Sequence, residues 1–150
     1  MPGTYVRQRI HLLWTTRERR PWLDPAWRPR LFGHIAGVVK AKGGQLCCAG
    51  AARDHIHLYL EYPATLTLAE LVSTIKSSSS RWIHDHFPHR RDFKWQGGYA
   101  AFSVNPREDR GLQEYIRNQD FHHRETSFAD EYMALLDGHR IPYDRKHALG

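Results

Sequence analysis

From His55 to Leu60 the chain alternates: His55, His57 and Tyr59 take turns with Ile56, Leu58 and Leu60, and Pro63 ends the run. A period of two is the signature of a strand, whose successive side chains point to opposite faces. The run therefore folds as a strand with one apolar face, which must pack on helices, and one face carrying two imidazoles. Two imidazoles on one face can chelate one cation. By itself the pair is read most simply as two surface histidines.

The rest of the chain organises around this strand. Tyr5 to Trp14 alternates imperfectly and reads as a first strand, followed by a basic turn, Thr15 to Arg20, closed by Pro21. Pro25 and Pro29 bracket the opening of a helix whose apolar positions, Leu31, Phe32, Ile35, Val38 and Val39, follow helical spacing until Gly43-Gly44 ends it. Gln45 to Ala52 is a second strand, joined by the short Arg53-Asp54 link to a third, His55 to Tyr62, as a hairpin. Thr67 and Glu70 form the pattern of a capping box ahead of a helix with Leu68, Leu71, Val72 and Ile75 on one side. That helix runs on through Lys76 and the serine tract Ser77 to Ser80 into Arg81-Trp82-Ile83. Phe93 to Val104 is a fourth strand region interrupted by Gly97-Gly98, and Asn105-Pro106 breaks the chain before a helix from Glu108 to His122. A last helical segment, Ser127 to Leu136, carries an apolar stripe of Phe128, Tyr132, Leu135 and Leu136 and ends at Gly138.

Strand, helix, strand, strand, helix, strand is the split βαβ order of a ferredoxin-like α+β fold, with an antiparallel sheet, helices on one face, and a C-terminal helix and short helical tail appended. The 150 residues suit one domain over 1–150, with a core over about 5–122 and a C-terminal extension over 123–150. No apolar run approaches the ~20 residues that span a bilayer, and the N-terminus lacks the apolar stretch of a secretory signal, so a cytoplasmic protein without a membrane partner is the expectation. Cys47 and Cys48 are adjacent, a spacing suited to neither zinc nor redox motifs; they read as small apolar residues on opposite faces of a strand.

In the late helix, Tyr115 and Gln119 stand four apart and share a face. Tyr115, between Leu112 and Ile116, also fits a core aromatic, and Gln119 a surface residue. If their face meets that of His55 and His57, a metal, a hydroxyl nucleophile and an amide oxygen converge. Two nitrogens and one oxygen leave coordination positions open for a substrate. A nearby cation would stabilise phenolate and polarise a phosphate, which is equipment for cutting a phosphodiester and holding the product covalently.

Charge is compatible with a polyanionic partner and equally with a solvated basic surface. Lys and Arg total 22 against 16 acids, a formal charge of +6, and arginine, with its planar donor fork, dominates. Arg17, Arg19 and Arg20 crowd the first turn. Lys76 and Arg81 flank small hydroxylated residues, including Ser78 and Ser79, that would permit close approach by a phosphate chain. Trp14, Trp82, Trp95 and Tyr99 could stack on unpaired bases, with burial the fate of at least half of them. Of the eleven histidines, His84, His86, His89, His122, His123, His139 and His147 have no ligand spacing and read as surface or phosphate contacts.

Together these motifs resemble the single-tyrosine HUH transposases of small bacterial insertion sequences and their REP-associated relatives. The likeness spans nearly the whole chain. His11 to Pro21 resembles the family's first strand and basic turn, Asp54-His55-Ile56-His57-Leu58 its paired-histidine motif, and Ile75 to Arg81 its serine-rich helix. Trp95 to Tyr99 with Phe102-Ser103-Val104 is similar to its last strand, Tyr115 to Gln119 to its tyrosine helix, with His122-His123 beyond, and Tyr132, Leu135 and Tyr143 to its tail. Ser77 departs from the pattern, which has glycine there in many members.

The resemblance implies a metal-dependent, single-stranded DNA transposase. Tyr115 would attack a phosphate to give a 5′-phosphotyrosine link and a free 3′-hydroxyl. His55, His57 and Gln119 would hold Mg²⁺ or Mn²⁺, and Arg17, Arg19, Arg20, Lys76, Ser78, Ser79, Arg81 and Trp82 would contact DNA. The implied partners are single-stranded DNA with hairpin ends and a second copy in a homodimer. The alternatives are a domesticated relative retained for nucleic-acid binding or regulation, and a metal phosphodiesterase using water, which would form no protein–DNA adduct.

Overall fold

The apolar side of the histidine strand decides where the first two helices go. The structure, a computed structural model, describes residues 3–122, 127–144 and 148. Its strands are β1 (Gln8–Thr15), β2 (Gln45–Ala51), β3 (His55–Tyr62) and β4 (Ala100–Ser103). Its helices are α1 (Arg28–Ala41), α2 (Leu68–His86), α3 (Asp109–Arg117), α4 (Gln119–His122) and α5 (Phe128–Gly138). The four strands form one antiparallel sheet in the order β2-β3-β1-β4. This is the expected ferredoxin-like α+β arrangement. No helix among the described residues is long and apolar enough to cross a membrane.

Ile56, Leu58 and Leu60 of β3 join Leu12 and Trp14 of β1 in the main core, closed by Leu31, Ile35 and Val39 of α1 and Leu71, Ile75 and Ile83 of α2. All of these side chains are almost fully removed from water. The opposite parity of the same strands faces the other way. There Leu13, Ala100 and Phe102 meet Phe128 and Leu136 of α5, while Tyr59 and Cys48 meet Ile116 of α3. The sheet is thus covered on both sides, and the second side is built by the C-terminal third of the chain.

Three local expectations are corrected. Phe93 to Val104 is not one strand region: β4 spans only Ala100–Ser103, and Trp95 forms an isolated bridge with Thr16, the residue after β1. Gly98, at a φ of 84°, turns the backbone between the two contacts. Glu108 to His122 is not one helix either. Asn118 (φ −99°, ψ 23°) ends α3, and the short α4 begins at Gln119. The two cysteines do not face opposite sides, because the β2–β3 register slips between Leu46 and Cys48. Such a bulge turns consecutive side chains toward one side, and both thiols pack beside Tyr59 and Ile116. Burial raises the pKa of each, which suits the apolar role expected of them.

Caps explain where the helices start. The Thr67 hydroxyl accepts from the Glu70 N–H at the head of α2. The complete reciprocal capping box forms at Asn105 and Glu108, just ahead of α3. Seating α3 on the sheet also requires Gly50. A Cβ at that position would lie 1.9 Å from the Ile116 carbonyl oxygen, so backbone meets backbone where any side chain would push them apart.

Candidate active site

His55 and His57 lie on the second side of the sheet, fully buried beneath the C-terminal helices. The register places Thr15 opposite His55 and Leu13 opposite His57. Each histidine has its ring fixed through Nδ1. His55 Nδ1 is 2.8 Å from Asp54 Oδ1, and His57 Nδ1 is 2.7 Å from His11 Nε2. Both Nε2 atoms then point to a common space. Glu131 Oε1, from α5, lies 3.3 Å from His55 Nε2 and 3.4 Å from His57 Nε2. Gln119 Oε1 is 3.1 Å from His55 Nε2.

Tyr115 reaches the same place. Its ring stands edge-on to His57 at 5.6 Å between centroids and to His11 at 6.4 Å. Its hydroxyl donates to Glu131 Oε2. The break at Asn118 turns the Gln119 amide inward, where its Nε2 donates back to the Tyr115 carbonyl at 3.3 Å and only 1% of the residue is exposed. Asp120, next in sequence, is held by the buried Arg28, whose guanidinium also donates to the Leu23 and Ala51 carbonyls. Tyr115, Gln119 and both histidines are therefore brought together within one chain.

Electrostatics separate the roles of the buried groups. Burial alone would lower the His55 pKa, but the Asp54 and Glu131 carboxylates outweigh it and hold the imidazolium to about pH 9. His11 goes the other way: burial, reinforced by the neighbouring His57, drops it to about 3, so it stays neutral. A neutral His11 can accept the Nδ1 proton of His57, which leaves the His57 Nε2 lone pair facing inward. The Tyr115 phenol is pushed up, first by burial and then by the adjacent Glu131 carboxylate.

His55, His57 and Glu131 together could hold a metal ion; their donor atoms lie within 4.8 Å of one another. Two imidazole nitrogens and a carboxylate, with an amide oxygen close by, suit a divalent cation of intermediate hardness. The Asp54 carboxylate on the outer nitrogen of His55 is the usual support of such a ligand, and His11 takes the corresponding position on His57. The residues present therefore fit a divalent metal.

The expected DNA-contacting residues divide into two places. Arg17, Arg19 and Arg20 lie exposed in a turn whose backbone bends through positive φ at Glu18 and Arg19. This turn is tied to the site by the Thr16 N–H donating to the Asp54 carbonyl, and Arg19 lines a cleft with Asp54, Ser127 and Phe128. The α2 group lies on the far side of the sheet from Tyr115. Arg81 and Ser78 border a shallow groove there. Ser78 Oγ is paired with His34, and Trp82 stacks between His34 and His86.

Two of the α2 residues are engaged within the fold. Ser79 is fully buried, its hydroxyl donating to the Ile75 carbonyl and accepting from Trp95 Nε1, so it presents no surface to a DNA strand. Lys76 donates to the Gln96 and Gly98 carbonyls and sits over the Trp14 ring, so its charge closes the loop after α2. Trp14 is buried and Trp95 packs edge-on against it, while Tyr99 remains exposed. Among the remaining histidines, His84 pairs with the Phe93 carbonyl and His139 stacks on Phe102. His123, His147 and the side chain of His122 lie outside the described residues.

Sequence reasoning missed Glu131 and His11. Glu131 stands inside the stripe Phe128, Tyr132, Leu135, and a carboxylate on the apolar face of a helix was the available signal. His11 has no such signal, because its neighbour His57 follows only from the β1–β3 register.

Residues 4–119 match the family described as "Transposase IS200 like". The chain belongs to the IS200-like transposase family. Members are enzymes that cut and rejoin DNA strands. Curated relatives are the transposases for insertion sequence element IS200 of Salmonella typhimurium and Salmonella typhi, each 23% identical over 117 residues, covering 74% of this chain and 76% of theirs. The fold is similar to that of a candidate transposase from Deinococcus radiodurans, with a TM-score of 0.65 and 23% identity over 80% of this chain and 96% of that one. It is also similar to a REP-associated tyrosine transposase bound to a REP hairpin, with a TM-score of 0.60 and 17% identity over 82% of this chain and 73% of that one.

Proposed function

We propose that this family member is a metal-dependent transposase acting on single-stranded DNA through a 5′-phosphotyrosine intermediate. The observation that carries the reading is the Tyr115 phenol, 5.6 Å ring to ring from His57, on a cluster of buried metal-ligand groups. A phenol is a weak nucleophile until its proton has somewhere to go. Glu131 Oε2 already accepts the Tyr115 hydroxyl, so the proton passes to that carboxylate as the phenol oxygen bonds to phosphorus. The P–O3′ bond breaks, and the departing 3′-oxygen takes a proton from solvent. A Mg²⁺ or Mn²⁺ ion bound by His55, His57 and Gln119, with Glu131, would supply Lewis-acid polarisation of the phosphate. His11 and Asp54 orient the two imidazoles.

Arg17, Arg19 and Arg20, at the edge of the site, would carry the strand's phosphates, with Arg81, Ser78 and Trp82 on the far side available to a more distant part of the substrate. Hairpin-ended DNA as that substrate is suggested by the hairpin bound to the structural relative. A homodimer would supply two tyrosines for two DNA ends, and cytoplasmic action at the nucleoid follows from the substrate.

The test is adduct formation. Single-stranded oligonucleotides bearing the element's own ends, incubated with Mn²⁺, should give a covalent complex stable to denaturing gels. Tyr115→Phe should give none, and His57→Ala should lose the adduct while retaining DNA binding. Unchanged adduct in Tyr115→Phe would overturn the assignment.

A further inference from the structure

A cleft of about 350 Å³ opens beside Tyr115, between β4, α3 and α5, and no step of the strand transfer uses it. Its walls include Phe102, Val104, Leu112 and Leu135, and Tyr115 itself forms one side. The exposed His139 ring also lines it, stacked at 4.3 Å and 21° on the buried Phe102 ring. Glu108 and Ser103 stand at its edge and offer a carboxylate and a hydroxyl. Flat aromatic surface inside an otherwise apolar hollow, with a few polar groups at the edge, is what a nucleobase requires.

Position narrows the occupant further. Whatever fills this cleft touches the residue that attacks the phosphate. In a DNA strand, the group within one sugar's reach of that phosphate is the base on either side of it.

We infer that this cleft is a nucleobase pocket, taking a base that flanks the phosphate attacked by Tyr115. The inference rests on the strand-cleaving reading above and adds to it a source of base selectivity. Stacking a base on aromatic side chains contributes roughly 1–3 kcal/mol, equal to about 5- to 150-fold in binding. Base-edge contacts to Glu108 and Ser103 then set which base is preferred. The buried cluster of histidines holds the phosphate, and the cleft reads its neighbour.

Gly111 allows the cleft to be filled without disturbing the fold. It lines the space from α3, and a Cβ built there meets nothing within 4 Å. Replacing a helical glycine also favours the helix. Gly111→Leu should therefore block the cleft in a folded protein, and Gly111→Ala should block it in part.

The experiment compares binding of the full chain to labelled oligothymidine, oligodeoxyadenosine and oligodeoxycytidine with binding to an abasic strand of equal length, by fluorescence anisotropy in chelator. The wild type should bind the best homopolymer about tenfold more tightly than the abasic strand. Gly111→Leu should shrink that ratio below about twofold with abasic affinity unchanged, and Gly111→Ala should fall between. A ratio that is the same in all three folded proteins overturns the pocket. Adduct formation by Tyr115, measured separately, reports on the catalytic reading: its absence alongside a collapsed ratio in Gly111→Leu would overturn that reading and leave the pocket standing.

Discussion

The two sides of the sheet are built from the same strands and do opposite jobs. On the α1–α2 side, β3 contributes Ile56, Leu58 and Leu60 to a closed apolar core. On the α3–α5 side the same strand contributes His55 and His57, and the groups that meet them are Glu131, Gln119, His11 and a tyrosine hydroxyl. Burial stabilises the first side in proportion to the apolar area removed from water. In the polar cluster of the second side burial costs free energy, which hydrogen bonds and paired charges only offset. Stability and chemistry are thus separated by the thickness of one sheet, and the strand's period of two lets neighbouring residues serve both.

This separation can be broken from either side. The largest effect on stability is expected from Leu58→Ala, which opens a cavity in a side chain's place at a fully buried position. It should cost about 2–5 kcal/mol in urea denaturation. At temperatures where the variant remains folded, adduct yield should stay close to that of the wild type. A selective loss of adduct without loss of stability would show that the two sides are coupled.

Gly50→Ala attacks the other side. The added Cβ meets the Ile116 carbonyl, so α3 must lift from β2 and carry Tyr115 and Gln119 with it. Adduct formation should fall by about tenfold or more, in line with the sensitivity of catalysis to ångström displacements. Far-UV circular dichroism should report an intact sheet. Unaltered activity would mean that α3 is not held by this contact.

The smallest and most specific effect concerns pH. His55 holds its proton to about pH 9 in the folded chain, against 6.5 for a free imidazole. Its contribution to stability is complete below about pH 6.5 and disappears as pH rises through 9. A divalent ion must displace that proton, so Mn²⁺ affinity, followed by calorimetry, should keep rising between pH 6.5 and about 9. Asp54→Asn removes the first carboxylate that holds the proton and should move the rise to lower pH. Affinity that levels off near pH 6.5 in the wild type would contradict this account.

Much of this was legible in the chain itself. Alternation at His55 to Leu60 fixed both the strand and which side its histidines would take, because each residue's direction is set by its own backbone. The four-residue spacing of Tyr115 and Gln119 placed them together for the same reason, even though the helix breaks at Asn118 between them. Local pattern failed where two segments had to meet. The slip at Leu46 and Cys48 depends on how β2 docks against β3, and the shortening of β4 depends on Trp95 reaching back to Thr16. Ser79 resembled a surface hydroxyl in a serine tract, and only the Trp95 ring above it shows why it is buried.

What the sequence determined by itself, then, was the set of faces: which residues lie on each element and on which side, quantities governed by backbone periodicity within a few residues. What tertiary structure alone decided was which faces meet. His11 became the partner of His57 through strand register, and Glu131 entered the site because α5 folds over the sheet from more than seventy residues away along the chain. Contacts between distant segments depend on the packing of the whole chain, and no local period encodes them.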